Sequence, residues 1–213
     1  MLSELAKLQA AIDVTPSDVY IDADANQGWD SANWTVSVLG RFAGCDNLSI
    51  EQPLHYADLD GAAHVRARGG VPVILDESVW SAKAMLQIAR MQAADRIVLK
   101  LNRLGGFFEA SKVIAICDSA AIGVSVDTNP YTLVGDTACC HIAAAVRDPY
   151  PVECETHVTF IDFGPEPMFS GGITFKDGRA HLPDAPGIGV DVDWDAVAAH
   201  NKRGAAELAA AGG

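Results

Sequence analysis

The chain is poor in the residues that several functional classes require. Only 15 of its 213 residues are Lys or Arg, against 28 Asp or Glu, a formal net charge of −13. Nucleic acid binding needs a basic face, and an anionic membrane surface draws on the same side chains, so neither partner is expected. No apolar run approaches the roughly 18 residues of a membrane helix. The opening MLSELAKLQAAIDV has no basic region ahead of an apolar one, so it does not read as a signal peptide. Cysteines number five, Cys139 and Cys140 are adjacent, and CxxC does not occur. This excludes a disulfide scaffold and a Cys-based zinc site, and fits reduced thiols in the cytoplasm. GxGxxG and GxxxxGK[ST] are both missing, which disfavours a phosphate-binding barrel or nucleotide enzyme.

What is present is 49% hydrophobic residues, ample for a core, in a regular order. The run Val71–Leu75 is apolar throughout and stops on Asp76 and Glu77. A continuous apolar run of this kind reads as a strand buried on both faces of a parallel sheet. Strands of the same kind are expected at Asp18–Asp24, Asn47–Glu51, Arg96–Leu101, Ile122–Asp127 and Pro151–Glu155. Helical patterns lie at Leu2–Ile12, Asp30–Phe42, Asp58–Arg68, Ser81–Ala93, Phe107–Ala120 and Thr132–Val146. Strand–helix alternation implies a parallel sheet with helices outside. The strand ends Asp24, Glu51, Asp76, Lys100, Asp127 and Glu153 recur every 24 to 27 residues. That evenness favours an α/β fold of the (β/α) TIM-barrel type over a doubly wound sheet. About six units are visible where a closed barrel has eight, so the barrel is expected to be incomplete. We expect residues 1–159 to form this partial barrel with the site. Residues 160–213 form a C-terminal extension with a hairpin at Ile173–His181, turning at Asp177-Gly178, and a terminal helix.

Strand ends are where such folds keep their chemistry. Asp24, Glu51 and Asp76 end three consecutive strands, so their carboxylates are expected to converge. Three carboxylates in one place repel, so either a cation binds or their pKa values rise. Oxygen donors without His or Cys point to Mg²⁺, with Mn²⁺ as the alternative. Lys100 sits at the next strand end inside an apolar strand. Burial and a nearby dication lower an ammonium pKa, which suits a general base. The plainer reading is a salt bridge to Asp76 or Glu77, and both roles can hold together. Asn26 and Gln52 are candidates for hydrogen bonds to metal or substrate, and Glu77 for orienting Lys100. Arg103 reads as structural or as an anion contact. His55 and His157 are possible pocket residues, while His141 and Trp29 read as packing.

The segments DADANQGW, IEQP, ILDES and KLNRLGG, with LPDAPGIGVDVD near the C-terminus, resemble the enolase superfamily, in its mandelate racemase/muconate-lactonizing branch. The resemblance implies an enolase C-terminal-domain-like barrel. By motif it assigns Asp24, Glu51 and Asp76 as Mg²⁺ ligands and Lys100 as the acid/base lysine. It implies removal of the proton α to a small substrate's carboxylate, through an enediolate, by a racemase, epimerase, cycloisomerase or dehydratase. The family's N-terminal capping domain, first two barrel strands and Lys-x-Lys motif have no counterpart in the sequence. One half of the usual acid/base pair is therefore missing. The chain is expected to be a fragment or half of an enzyme, self-associating or taking a partner chain that supplies the strands. The alternative is an inactive remnant or a non-catalytic subunit. The stretch VDTNPYTLVGD places Tyr131 roughly where related sequences often carry Glu, so it gives no guide to the substrate.

Overall fold

The structure is a computed structural model that describes residues 2–128, 131–147, 152 and 168–211. The chain divides into two compact units, Met1–Ser125 and Val126–Gly213. The expected boundary at 159/160 and the expected strand Pro151–Glu155 fall at residues outside that description, as does His157.

The first unit opens with helix α1 (Leu2–Val14) and then alternates. Strand β1 (Ile21–Asp24) leads to α2 (Ala32–Leu39), β2 (Leu48–Glu51) to α3 (Leu59–Arg68), and β3 (Val73–Leu75) to α4 (Ala82–Met91). Strand β4 (Arg96–Leu99) is followed by a single turn, α5 (Leu101–Leu104), and by α6 (Phe107–Ala120); β5 (Gly123–Val126) comes next. The sheet order is β1-β2-β3-β4-β5. Consecutive strands as neighbours is the topology of a barrel wall and not of a doubly wound sheet, whose order reverses at a switch point. The expected α/β architecture, an incomplete barrel wall, is what is observed.

Local sequence explains where these elements begin and end. Ser31 caps α2 and Ser81 caps α4 through their hydroxyls, and Asp58 caps α3 through its carboxylate. Each supplies an acceptor to an otherwise orphaned N–H of the first turn. Helix α5 departs from the sequence reading. The apolar run RIVLKL suggests a strand through Leu101, but the strand stops at Leu99 and Leu101 opens a helical turn. Gly105, at φ 80°, closes that turn in the left-handed conformation that Gly adopts most readily.

Burial holds the wall together. Val73, Ile74 and Leu75 are all buried, so β3 is covered on both faces. Its neighbours contribute Leu48, Ile50, Ile97 and Leu99, and the outer helices contribute Leu39, Val65, Met85, Ile88 and Val113. Fully burying one such side chain is worth roughly 1.5–3 kcal/mol. Arg66 locks α3 to the β4 approach by pairing with Asp95 at 2.8 Å, while Asp95 also accepts from the Val73 amide at 2.9 Å. Strand β1 is an edge of the sheet. A groove of about 470 Å³ runs along it, lined by Leu5, Leu8 and Ala11 of α1 and by Ile21, Asp22 and Asp24.

The second unit contains α7 (Leu133–Ala145), the short strands β6 (Phe169–Gly171), β7 (Thr174–Lys176), β8 (Arg179–His181) and β9 (Val190–Val192), and α8 (Trp194–Ala211). Strands β7 and β8 form the expected hairpin, with Asp177 and Gly178 at φ 52° and 69°. Two successive positive φ values suit the twist of a two-residue hairpin turn. His141 packs within this unit, with Nε2 3.2 Å from the Ile188 carbonyl oxygen. No described helix is long and apolar enough to cross a membrane.

Candidate active site

The sequence-predicted residues are collected at one end of the first unit's sheet. Parallel pairing sets Asp24 directly beside Glu51. Glu51 in turn pairs with Ile74, and Leu75 with Ile97. Asp76 therefore lies two residues further along than Glu51, and Lys100 two further than Asp76. This is the progressive stagger of a barrel wall, in which tilted strands bring their ends to a common rim. Because side chains alternate along a strand, Asp22 shares a face with Asp24, and Ser49 with Glu51.

The turns after the strands are shaped to hold this rim. Asn26 and Gln27 have φ of 46° and 61°, and Gln52 has φ of 32°. Such positions cost roughly 1–3 kcal/mol each for a residue with a side chain. Hydrogen bonds fix them: Gln27 N donates to the Gln52 carbonyl at 2.7 Å, and Gln52 N to the Ile74 carbonyl at 2.9 Å. The buried Gln52 amide is a hub. Its Oε1 accepts from the Asp76 amide at 2.9 Å, and its Nε2 donates to the Leu54 carbonyl at 3.0 Å and approaches Ser78 Oγ at 3.0 Å. Gln52 thus orients the backbone that carries Asp76. Asn26 orients Asp24: its backbone N–H donates to Oδ1 at 2.8 Å and its side-chain amide to Oδ2.

The acids divide by partner. Asp76, buried at the end of β3, carries two cations. Lys100 Nζ lies 3.0 Å from its Oδ2. Arg103 Nη1 donates to its carbonyl at 2.6 Å and to its Oδ1. Both cationic side chains are themselves largely buried. Lys100 therefore pairs with Asp76, while Glu77 accepts from Gln27 Nε2 at 3.0 Å. Glu51 has the opposite environment. It is only 9% exposed, and burial, together with the charges of Asp22, Asp24 and Asp76, pushes its carboxyl up to about 10. A hydrogen bond shared with Asp22 contributes in the same direction. Burial also raises the Asp24 carboxyl, with Glu77, Asp76 and Asp22 adding to it against a lowering hydrogen bond from Asn26.

Among the described residues, no group of three or more His, Cys, Asp or Glu side chains stands as a ready-made metal cage. Asp24, Glu51 and Asp76 occupy adjacent strand ends, but each is engaged by its own neighbours. The donor chemistry nonetheless suits a hard dication. A buried carboxyl kept protonated by surrounding carboxylates is relieved when a cation neutralises them. Sequence reasoning missed Asp22, which receives a hydrogen bond from Ser49 Oγ at 2.8 Å and faces Glu51. It also missed Ser78, whose hydroxyl donates to the Tyr56 carbonyl at 2.9 Å. The period of two in Asp22-Ala23-Asp24 is the signal that places Asp22 on the site's face.

The enolase C-terminal domain-like family model matches residues 2–196. The chain belongs to this family. It is 30% identical over 195 residues to the L-Ala-D/L-Glu epimerase of Bacillus subtilis, covering 88% of this chain and 50% of that protein. It is 34% identical over 178 residues to muconate cycloisomerase 1 of Rhodococcus opacus, covering 82% and 46%. A substrate-liganded structure of the Bacillus subtilis epimerase superposes with a TM-score of 0.78 at 28% identity, over 88% of this chain and 51% of that one. These enolase-family relatives are epimerases and cycloisomerases, and a racemase of Bacillus cereus is a further match at 28% identity. The chain spans about half the length of the relatives it matches.

Proposed function

We propose that this chain carries the metal-binding and one acid/base half of an enzyme that removes the proton α to a carboxylate. The observation that carries the reading is Lys100. It is a largely buried ammonium at a strand end, 3.0 Å from Asp76 and on the same rim as Asp24 and Glu51. In this reading Asp24, Glu51 and Asp76 hold Mg²⁺. The bound ion supplies the electrostatic stabilisation of charge that builds on the substrate carboxylate as its α-proton leaves. Lys100 Nζ takes and returns that proton. Asp76 fixes the position of Nζ, and Gln52 fixes Asp76. Asn26 holds Asp24 in place, and Glu77 braces Gln27 at the mouth. Proton exchange of this type underlies racemisation, epimerisation and cycloisomerisation alike, which matches the range of chemistries among the relatives.

The exposed edge of β1 supports a second element of the proposal. An edge strand with a groove beside it invites a further strand. Self-association or a partner chain completes the wall, and with it the acid/base machinery on the other side of the substrate. The alternative, a non-catalytic subunit, shares the assembly but not the metal. Titration calorimetry with Mg²⁺ separates them. The wild type is expected to bind one ion, and Glu51→Gln to bind it weaker by orders of magnitude. Equal affinity in the two folded proteins would remove the site from consideration.

A further inference from the structure

Two large aromatic side chains stand open on the same rim as the carboxylates. Tyr56 follows β2 and is 42% exposed; Trp80 follows β3 and is 54% exposed. Single exposed aromatics need no explanation, but these form a group. Their rings meet edge to face at 6.2 Å and 66°. His55 extends the wall, its ring 4.4 Å from that of Tyr56.

The backbone beneath the wall is fixed. Tyr56 N donates to Gln27 Oε1 at 2.9 Å, and the Tyr56 carbonyl accepts from Ser78 Oγ. Trp80 lies 5.7 Å from the guanidinium carbon of Arg103, the residue whose Nη1 reaches the Asp76 carbonyl at 2.6 Å. One guanidinium therefore joins the aromatic wall to the carboxylate cluster. A rigid aromatic wall binds planar apolar groups with little ordering cost, because its rings have few torsions to freeze. A cationic ligand fits less well, since Arg103 already occupies a place over the indole.

We infer that Trp80 and Tyr56 form a subsite for an aryl or similar planar apolar group of the carboxylate substrate. The inference rests on the function proposed above and names the substrate class it favours. Calorimetry with hydrocinnamate and with propionate, each with and without Mg²⁺, tests it on the whole chain. Both acids offer the same carboxylate, so their affinity ratio isolates the aryl contact. The wild type should bind hydrocinnamate about tenfold tighter than propionate, the scale of one aromatic contact with its buried area. Trp80→Ala and Tyr56→Leu should each bring the ratio close to one, and Trp80→Phe should retain most of it. Any change in metal affinity acts on both acids and cancels in the ratio. A wild-type ratio near one, or an unchanged ratio in both Trp80→Ala and Tyr56→Leu, would overturn the subsite alone. Binding of neither acid in the presence of Mg²⁺ would remove the proposed function and the subsite with it.

Discussion

Replacing Glu51 by Gln should make the metal-free protein more stable at neutral and alkaline pH. In an unfolded chain a Glu carboxyl loses its proton near 4.5; in the fold Glu51 holds it to about 10. Between those values the folded state binds more protons than the unfolded state. Stability therefore falls as pH rises through this window, by about 1.4 kcal/mol per pH unit from this one group. From pH 5 to pH 8 the loss comes to about 4 kcal/mol, a large part of a domain's ordinary stability. Gln keeps the shape, can still donate towards Asp22, and has no proton to lose. Urea denaturation of both proteins at pH 5 and pH 8, without divalent cations, measures the difference directly. The stability gap between Glu51→Gln and wild type should widen with pH in favour of Gln. Parallel pH profiles would show that Glu51 is not held protonated by its surroundings, and the electrostatic reading of the site would fail.

Arg103→Met removes one of the two cations on the buried Asp76 carboxylate, and the loss of a buried ionic partner should cost about 2 kcal/mol because Lys100 remains; thermal or urea unfolding checks it, and an unchanged stability would show the contact to be incidental. Cys117 is fully buried and its thiol is pushed up to about 12 by burial, with Asp118 adding to it. Native protein at pH 8 should therefore leave Cys117 unmodified by a thiol-specific disulfide reagent while the partly exposed Cys45 reacts; mass spectrometry of the labelled protein distinguishes the two.

The strand–helix order was legible because the strands lie in short runs rich in apolar residues that stop on a polar one, and because α2, α3 and α4 each open on a capping side chain. The rim was legible for the same reason: Asp24, Glu51, Asp76 and Lys100 each terminate such a run. Side-chain pairing was not. Asp76 and Glu77 are adjacent acids, and only the fold decides that Lys100 meets the first while Gln27 meets the second. Arg103 could be seen as structural, but its attachment to Asp76 depends on α5, a turn hidden in the sequence because Leu101 prolongs the apolar pattern of β4. Asp22 escaped notice because an acid two residues before a strand end looks solvated until the neighbouring strand sets Ser49 and Glu51 beside it. The raised Glu51 carboxyl is likewise a property of the assembled sheet, arising first from burial and then from the charges of Asp22, Asp24 and Asp76.

In the proposed reaction Lys100 exchanges the proton α to a carboxylate. Proton NMR in deuterated water, with Mg²⁺ and N-acetylphenylalanine as an aryl-bearing carboxylate probe, follows exchange at the α-carbon for the chain together with whatever strand-supplying partner it requires. The wild type should wash deuterium into that position. Lys100→Ala should not, while keeping Mg²⁺ affinity within a few fold, and Lys100→Arg should also fail because a guanidinium stays protonated. Exchange that persists at the wild-type rate in Lys100→Ala would contradict the account and place the base elsewhere.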